Sequence, residues 1–123
     1  MPEIMIEKNL AANALYQRHR GCIDALAKNY PDRRSMLLPV LWMIQEEDGW
    51  ISEDIMSEAA EICDCTTAQV VEVVSFYVMY NREPVGKYLL GICATLPCAL
   101  CGSDGLFDYL QEKLGIGWDE TTG

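Results

Sequence analysis

The sequence predicts an α+β protein: an N-terminal helical bundle over residues 1–83, followed by an incomplete α/β portion over 84–123. Three observations lead there. Four stretches before residue 80 carry apolar residues at the 3–4 spacing of a buried helix face. The one convincing strand, Lys87 to Cys93, comes only after them. A cysteine-rich loop and one more amphipathic stretch then follow it.

The first helix is expected over Asn9 to Lys28, with Leu10, Ala14, Leu15, Cys22, Ile23 and Leu26 on its apolar face and Tyr30-Pro31-Asp32 ending it. The second, about Arg33 to Glu47, has a broad apolar face of Met36, Leu37, Val40, Leu41, Met43 and Ile44. Pro39 falls inside it and should remove a hydrogen bond and bend it. Gly49 suits the position just past its end. Glu46, Glu47 and Asp48 there oppose the helix dipole, so a solvated face or a partner's bases should lie beside them.

Ser52 is a good cap for a third helix, about Glu53 to Cys63. Thr66 with Gln69 makes a capping box for a fourth, about Thr67 to Phe76. Val70 to Tyr77 is β-branched enough to be a strand, but the cap and the spacing of Ala68, Val71, Val74 and Tyr77 favour helix. Glu83-Pro84-Val85-Gly86 is a turn between two portions of the chain. Beyond the strand, Ser103 caps a helix to Leu114 with Leu106, Phe107, Leu110 and Leu114 as its buried stripe, and Gly115 ends it. Residues 115–123 read as the lead into another strand. A lone strand at Tyr88 to Ile92 would have two open edges, so more chain or a partner is expected to pair it.

Composition narrows the function. The 123 residues are half hydrophobic, enough for a core without disulfides. Nineteen acids against nine bases leave a net charge of −10, which argues against nucleic acid or an anionic membrane as the main partner. The first residues lack the basic and apolar regions of a signal peptide. The longest uncharged run, Tyr88 to Ser103, is too short and broken to enter a bilayer. A cytoplasmic location is therefore expected, where six cysteines point to metal or redox chemistry. The single histidine, His19, leaves little room for histidine-based sites.

Three of those cysteines crowd one loop: Cys93, Cys98 and Cys101. The C-x4-C pair suits two thiolates curving around one iron of a [2Fe–2S] cluster, which takes two per iron. The overlapping Cys98-Ala99-Leu100-Cys101 suits a thiol–disulfide oxidoreductase, with a helix start activating Cys98. That reading leaves Cys93 without a role. Plain packing of three small apolar side chains is the third possibility. The combined C-x4-C-x2-C spacing also matches plant-type ferredoxins, but no fourth cysteine follows Cys101. Cys63 and Cys65 read as half-buried packing at a helix end, and Cys22 as core.

Several motifs together carry a resemblance. Tyr30 to Leu41 (YPDRRSMLLPVL), Ile44 to Ile51 (IQEEDGWI), Val73 to Tyr77 (VVSFY), Pro84 to Tyr88 (PVGKY) and the Cys93–Cys98 pair occur in this order. From about Tyr30 onward the chain resembles the thioredoxin-like [2Fe–2S] subunit of NADH:quinone oxidoreductase, the E subunit of the bacterial enzyme. The resemblance implies a helical bundle followed by a thioredoxin-like domain, here its N-terminal half at 84–123. It implies a [2Fe–2S] cluster on Cys93 and Cys98, beside the flavin of a partner subunit that binds FMN and NADH. It also implies a place on the peripheral arm of a membrane-bound complex. The family's other two ligands form a later C-x3-C pair, which this sequence lacks, so a C-terminal truncation is expected. Cys101 falls on no ligand position of the family. NAD-linked hydrogenases and formate dehydrogenases carry the same module. A cluster-free docking fragment of such a complex is the further alternative.

Other features read blandly. Pro84-Val-Gly-Lys lacks Walker spacing, and no G-x-G-x-x-G occurs, so a dinucleotide site on this chain is not expected. Trp42, Trp50 and Phe76 suit core or interface. Arg33 and Arg34 suit solvated charge or a subunit contact.

Overall fold

The computed structural model describes Leu10 and residues 12–122. The chain divides into two compact units, Met1–Pro84 and Val85–Gly123. The first holds helices α1 (Ala14–Ala27), α2 (Leu37–Asp48), α3 (Glu53–Ile62) and α4 (Thr67–Phe76), with a 3-10 turn at Arg34–Met36 leading into α2. The expected helix start at Asn9 lies outside the described residues; α1 begins where Asn13 accepts the Tyr16 N–H at 2.9 Å.

Asn13 also joins α1 to α3. Its Nδ2 donates to the Glu58 carbonyl at 3.1 Å and to the Glu61 carboxylate at 3.0 Å. Helix α3 packs on α1, α2 and α4 and is the centre of the bundle. The core is Leu15, Tyr16 and Ile23 of α1, Val40, Leu41 and Ile44 of α2, Met56, Ala59 and Ile62 of α3, and Val70 and Val74 of α4. Burying Val70 and Val74 on one face is what lets this β-branched segment stay helical, together with a complete Thr66–Gln69 capping box. Ser52 caps α3 through the Ile55 N–H.

Two expectations about this unit are corrected. Pro39 does not break a helix interior: α2 starts at Leu37, so proline's missing N–H is one of the first-turn donors that have no partner anyway. The break lies in α1 instead, where His19 leaves helical geometry (φ −118°, ψ 19°) two residues before Gly21. Cys22 is not core but exposed, facing a groove with Leu26, Pro39 and Trp42.

The second unit contains α5 (Leu96–Leu100) and α6 (Ser103–Leu114). The α+β expectation is overturned: the described residues are helical with connecting turns, and none is in a strand. Lys87 to Cys93 runs without regular structure. A strand exists only as one side of a hydrogen-bonded ladder, and no second extended segment of the described chain pairs with this one. Residues 115–122 are turns and irregular backbone rather than a strand lead, with Trp118 stacked on Phe107 at 4.1 Å. The stripe expected on α6 is not buried either: Leu106 is 51% exposed and no α6 residue is fully covered. No helix among the described residues is long and apolar enough to cross a membrane.

Candidate metal centre

The Cys93–Cys98 loop is built by its own turn chemistry. Thr95 is the N-cap residue of α5, with extended backbone, and Pro97 lies in the first turn, where its lack of an N–H costs nothing. One short turn of helix therefore returns the chain so that Cys98 faces back toward Cys93. Thr95 Oγ1 lies 3.1 Å from Cys93 Sγ. The Thr95 hydroxyl, then its backbone N–H, then the Cys98 thiol hold the Cys93 pKa below the usual thiol range. All three favour a thiolate at Cys93.

Cys93 is exposed and Cys98 half-buried, so both sulfurs are open to a ligand. Cys101 is exposed as well, at the end of α5, where its N–H donates to the Cys98 and Pro97 carbonyls. Cys63 differs in kind. It is buried in the core of the first unit, and burial, then neighbouring Cys65, push its thiol up to about 12. A group held neutral in this way is packing, in keeping with its place at a helix end.

Beside Cys93 lies a cavity of about 230 Å³ lined by Ser103, Asp104 and Asp108 of α6 and walled by Ile92, Phe107 and Trp118. The sequence points to Ser103 as the cap of α6. The cap position is in fact Gly102, in the left-handed region at φ 97°, and the Ser103 Oγ is buried with no hydrogen-bond partner.

The donor chemistry fits half of a [2Fe–2S] group. Two thiols come within mutual reach on an accessible loop, as one iron requires. Among the described residues no three Cys, His, Asp or Glu side chains come together as a metal-binding group, so the second pair of ligands is not supplied there.

Paired accessible thiols are chemistry that metal-binding and redox proteins share. Residues 23–123 match the family model for thioredoxin-like [2Fe–2S] ferredoxins, and the chain belongs to that family. It is 48% identical over 93 residues to the E subunit of the NADH-quinone oxidoreductase of Mycobacterium tuberculosis, a match covering 76% of this chain and 37% of that protein. It is 44% identical over 100 residues to the NADH-quinone oxidoreductase subunit 2 of Thermus thermophilus, covering 80% of this chain and 55% of that one. It is 33% identical over 112 residues to the corresponding E subunit of Rickettsia prowazekii, covering 89% and 63%. The chain thus spans between about a third and two thirds of the length of these relatives.

The residue that sequence reasoning missed is Thr95. A hydroxyl two positions after a candidate ligand, at the start of a helix, was a readable signal for a hydrogen bond to its sulfur.

Proposed function

We propose that the chain acts as the [2Fe–2S] electron-transfer subunit of an NADH-quinone oxidoreductase. Cys93 and Cys98 hold one iron, and the second pair of sulfurs comes from outside the described residues. The observation that carries this reading is the Cys93–Cys98 pair itself: accessible, mutually close, and set in a member of a [2Fe–2S] family.

When bound, the group supplies one-electron redox chemistry. The chain's own residues have simpler tasks. Cys93 and Cys98 anchor the iron as thiolates, and the Thr95 hydroxyl donates to the Cys93 sulfur. No side chain is asked to move a proton. The flavin- and NADH-binding subunit of the same complex is the partner, with FMN and NADH held there. On this reading the chain works in the cytoplasm, on the peripheral arm of the complex. The net charge of −10 suits a partner face rich in bases.

The test is anaerobic reconstitution of the full chain with ferric iron, sulfide and an added small thiol that stands in for the second pair of sulfurs, with and without the flavin-binding subunit. A visible band and an S = 1/2 signal after reduction are expected. Cys93→Ser and Cys98→Ser should each abolish the signal, while Cys22→Ser and Cys101→Ser keep it. A colourless protein with a reversible Cys98–Cys101 disulfide would establish the thiol–disulfide alternative. Partner binding without either would leave a docking fragment.

A further inference from the structure

His19 has two contacts that its ring cannot use at once. Its Nε2 accepts from Arg18 Nε at 2.9 Å and lies 3.1 Å from a Glu47 carboxylate oxygen. That nitrogen carries either a lone pair or a proton. With the lone pair it accepts from the guanidinium; with the proton it donates to the carboxylate. The side chain is 10% exposed, so protein rather than water covers most of it.

The backbone supports the first contact. Side chains of successive residues do not face each other on a regular helix. Arg18 and His19 meet where α1 breaks, at His19 itself, with φ −118° and ψ 19°. Arg18 is also held from α2, its Nη2 donating to Asp48 at 2.7 Å. The remaining charged groups come from three helices. On α1, Arg20 turns to Asp24 at 3.7 Å. On α2, Glu46 lines the groove beside Cys22, and Glu47 lies 3.8 Å from Arg18 Nε. On α3, Glu58 accepts the Leu15 N–H at 2.6 Å.

We propose that His19 is a pH-operated latch between α1 and α2, exchanging Arg18 for Glu47 when the ring gains a proton. Neutral, the ring keeps its N–H on Nδ1 and accepts from Arg18. Charged, it donates from Nε2 to Glu47. The Arg18 Nε–H then has no acceptor on the ring and faces a second cation, so it turns away while Nη2 keeps Asp48. Histidine is the side chain that ordinarily changes charge between about pH 5 and 8, the window in which the exchange belongs. No residue of the cysteine loop takes part.

NMR of the full chain, following the imidazole 15N and arginine Nε–H signals from about pH 8 to about pH 5, tests this without any cluster. His19 is the only histidine, so its ring signals identify themselves. At the high end the Nδ1–H tautomer is expected, with the Arg18 Nε–H signal displaced by its hydrogen bond. At the low end both ring nitrogens carry protons, and the Arg18 displacement is lost along the same curve. Arg18→Leu should turn the neutral ring to the Nε2–H tautomer, now donating to Glu47. Glu47→Gln should leave the neutral tautomer as in the parent. A neutral parent ring protonated on Nε2 overturns the proposal. So does an Arg18 signal indifferent to the ring's charge, or an Arg18→Leu ring that stays Nδ1–H. The parent titration decides by itself if Arg18→Leu does not fold.

Discussion

Asn13 caps one helix and ties down another with the same side chain, and only an amide can do both. Its oxygen accepts from Tyr16 while its nitrogen donates to Glu58 and Glu61. Asn13→Asp keeps the cap but sets a third carboxylate among Glu58 and Glu61. It should destabilise the fold at pH 7 by losing the donor to Glu58 and Glu61 and adding like charge, seen as a lower urea midpoint than the parent's. Arg33 is a second case. It is not solvated charge: its guanidinium donates to the Ile62 carbonyl at 2.7 Å and to the Glu61 carbonyl, closing the end of α3. Arg33→Ala should cost about 1–2 kcal/mol, and Arg33→Lys should recover only part, because an ammonium lacks the fork.

Two buried acids give a pH limit at the same scale. Burial, then Cys65, raises Cys63 from 9.0 to about 12, and burial, then Tyr77, raises Tyr80 from 10.0 to about 12. Both pKa values are higher folded than unfolded, so their contribution is full below pH 9 and is lost as pH rises from 9 to 12. The decline should approach about 1.4 kcal/mol per pH unit for each group. Cys63→Ala should make the part between about 9 and 10 shallower, leaving the smaller contribution of Cys65, whose thiol burial also raises. A parent whose midpoint stays level up to about pH 11 would refute the burial account.

At the scale of elements, the caps were legible because they are local. The Thr66–Gln69 box and the Ser52 cap involve residues three apart, and both form. Thr66→Ala should lower stability by about 1 kcal/mol, seen as an earlier urea transition followed by helical circular dichroism. The acids ending α2 were legible only in part. Arg18 of α1 meets Asp48 at 2.7 Å, so a base of this chain stands where the sequence left room for a partner's. Which helix lies alongside α2 is a tertiary fact. The same holds for residues 79–81, which Gln45 pins to α2 by accepting the Asn81 N–H and donating to the Met79 carbonyl, both at 2.6 Å. The strand at Lys87 to Cys93 failed for the converse reason: β propensity describes fit to a sheet, and the described chain offers no sheet.

For the whole molecule, the contrast between the two units is the main consequence. Among the described residues, every fully buried apolar side chain belongs to the first. In the second, Tyr88, Leu89, Leu90, Leu96 and Leu100 are all exposed. Cooperative stability should therefore reside in residues 14–76. Native-state hydrogen exchange should show amides of α2–α4 opening only with global unfolding, and amides of 85–122 exchanging orders of magnitude faster. Equal protection in both units would contradict this.

Helical periodicity, caps, net charge and the C-x4-C spacing are properties of neighbours in the chain, and from them the four-helix unit and its family could be read directly. Contacts between distant residues obey no such spacing. The Arg33 clasp on α3, the exposed Cys22, the break at His19, the missing strand and the lone Ser103 hydroxyl beside Cys93 were decided only when packing chose which surfaces meet.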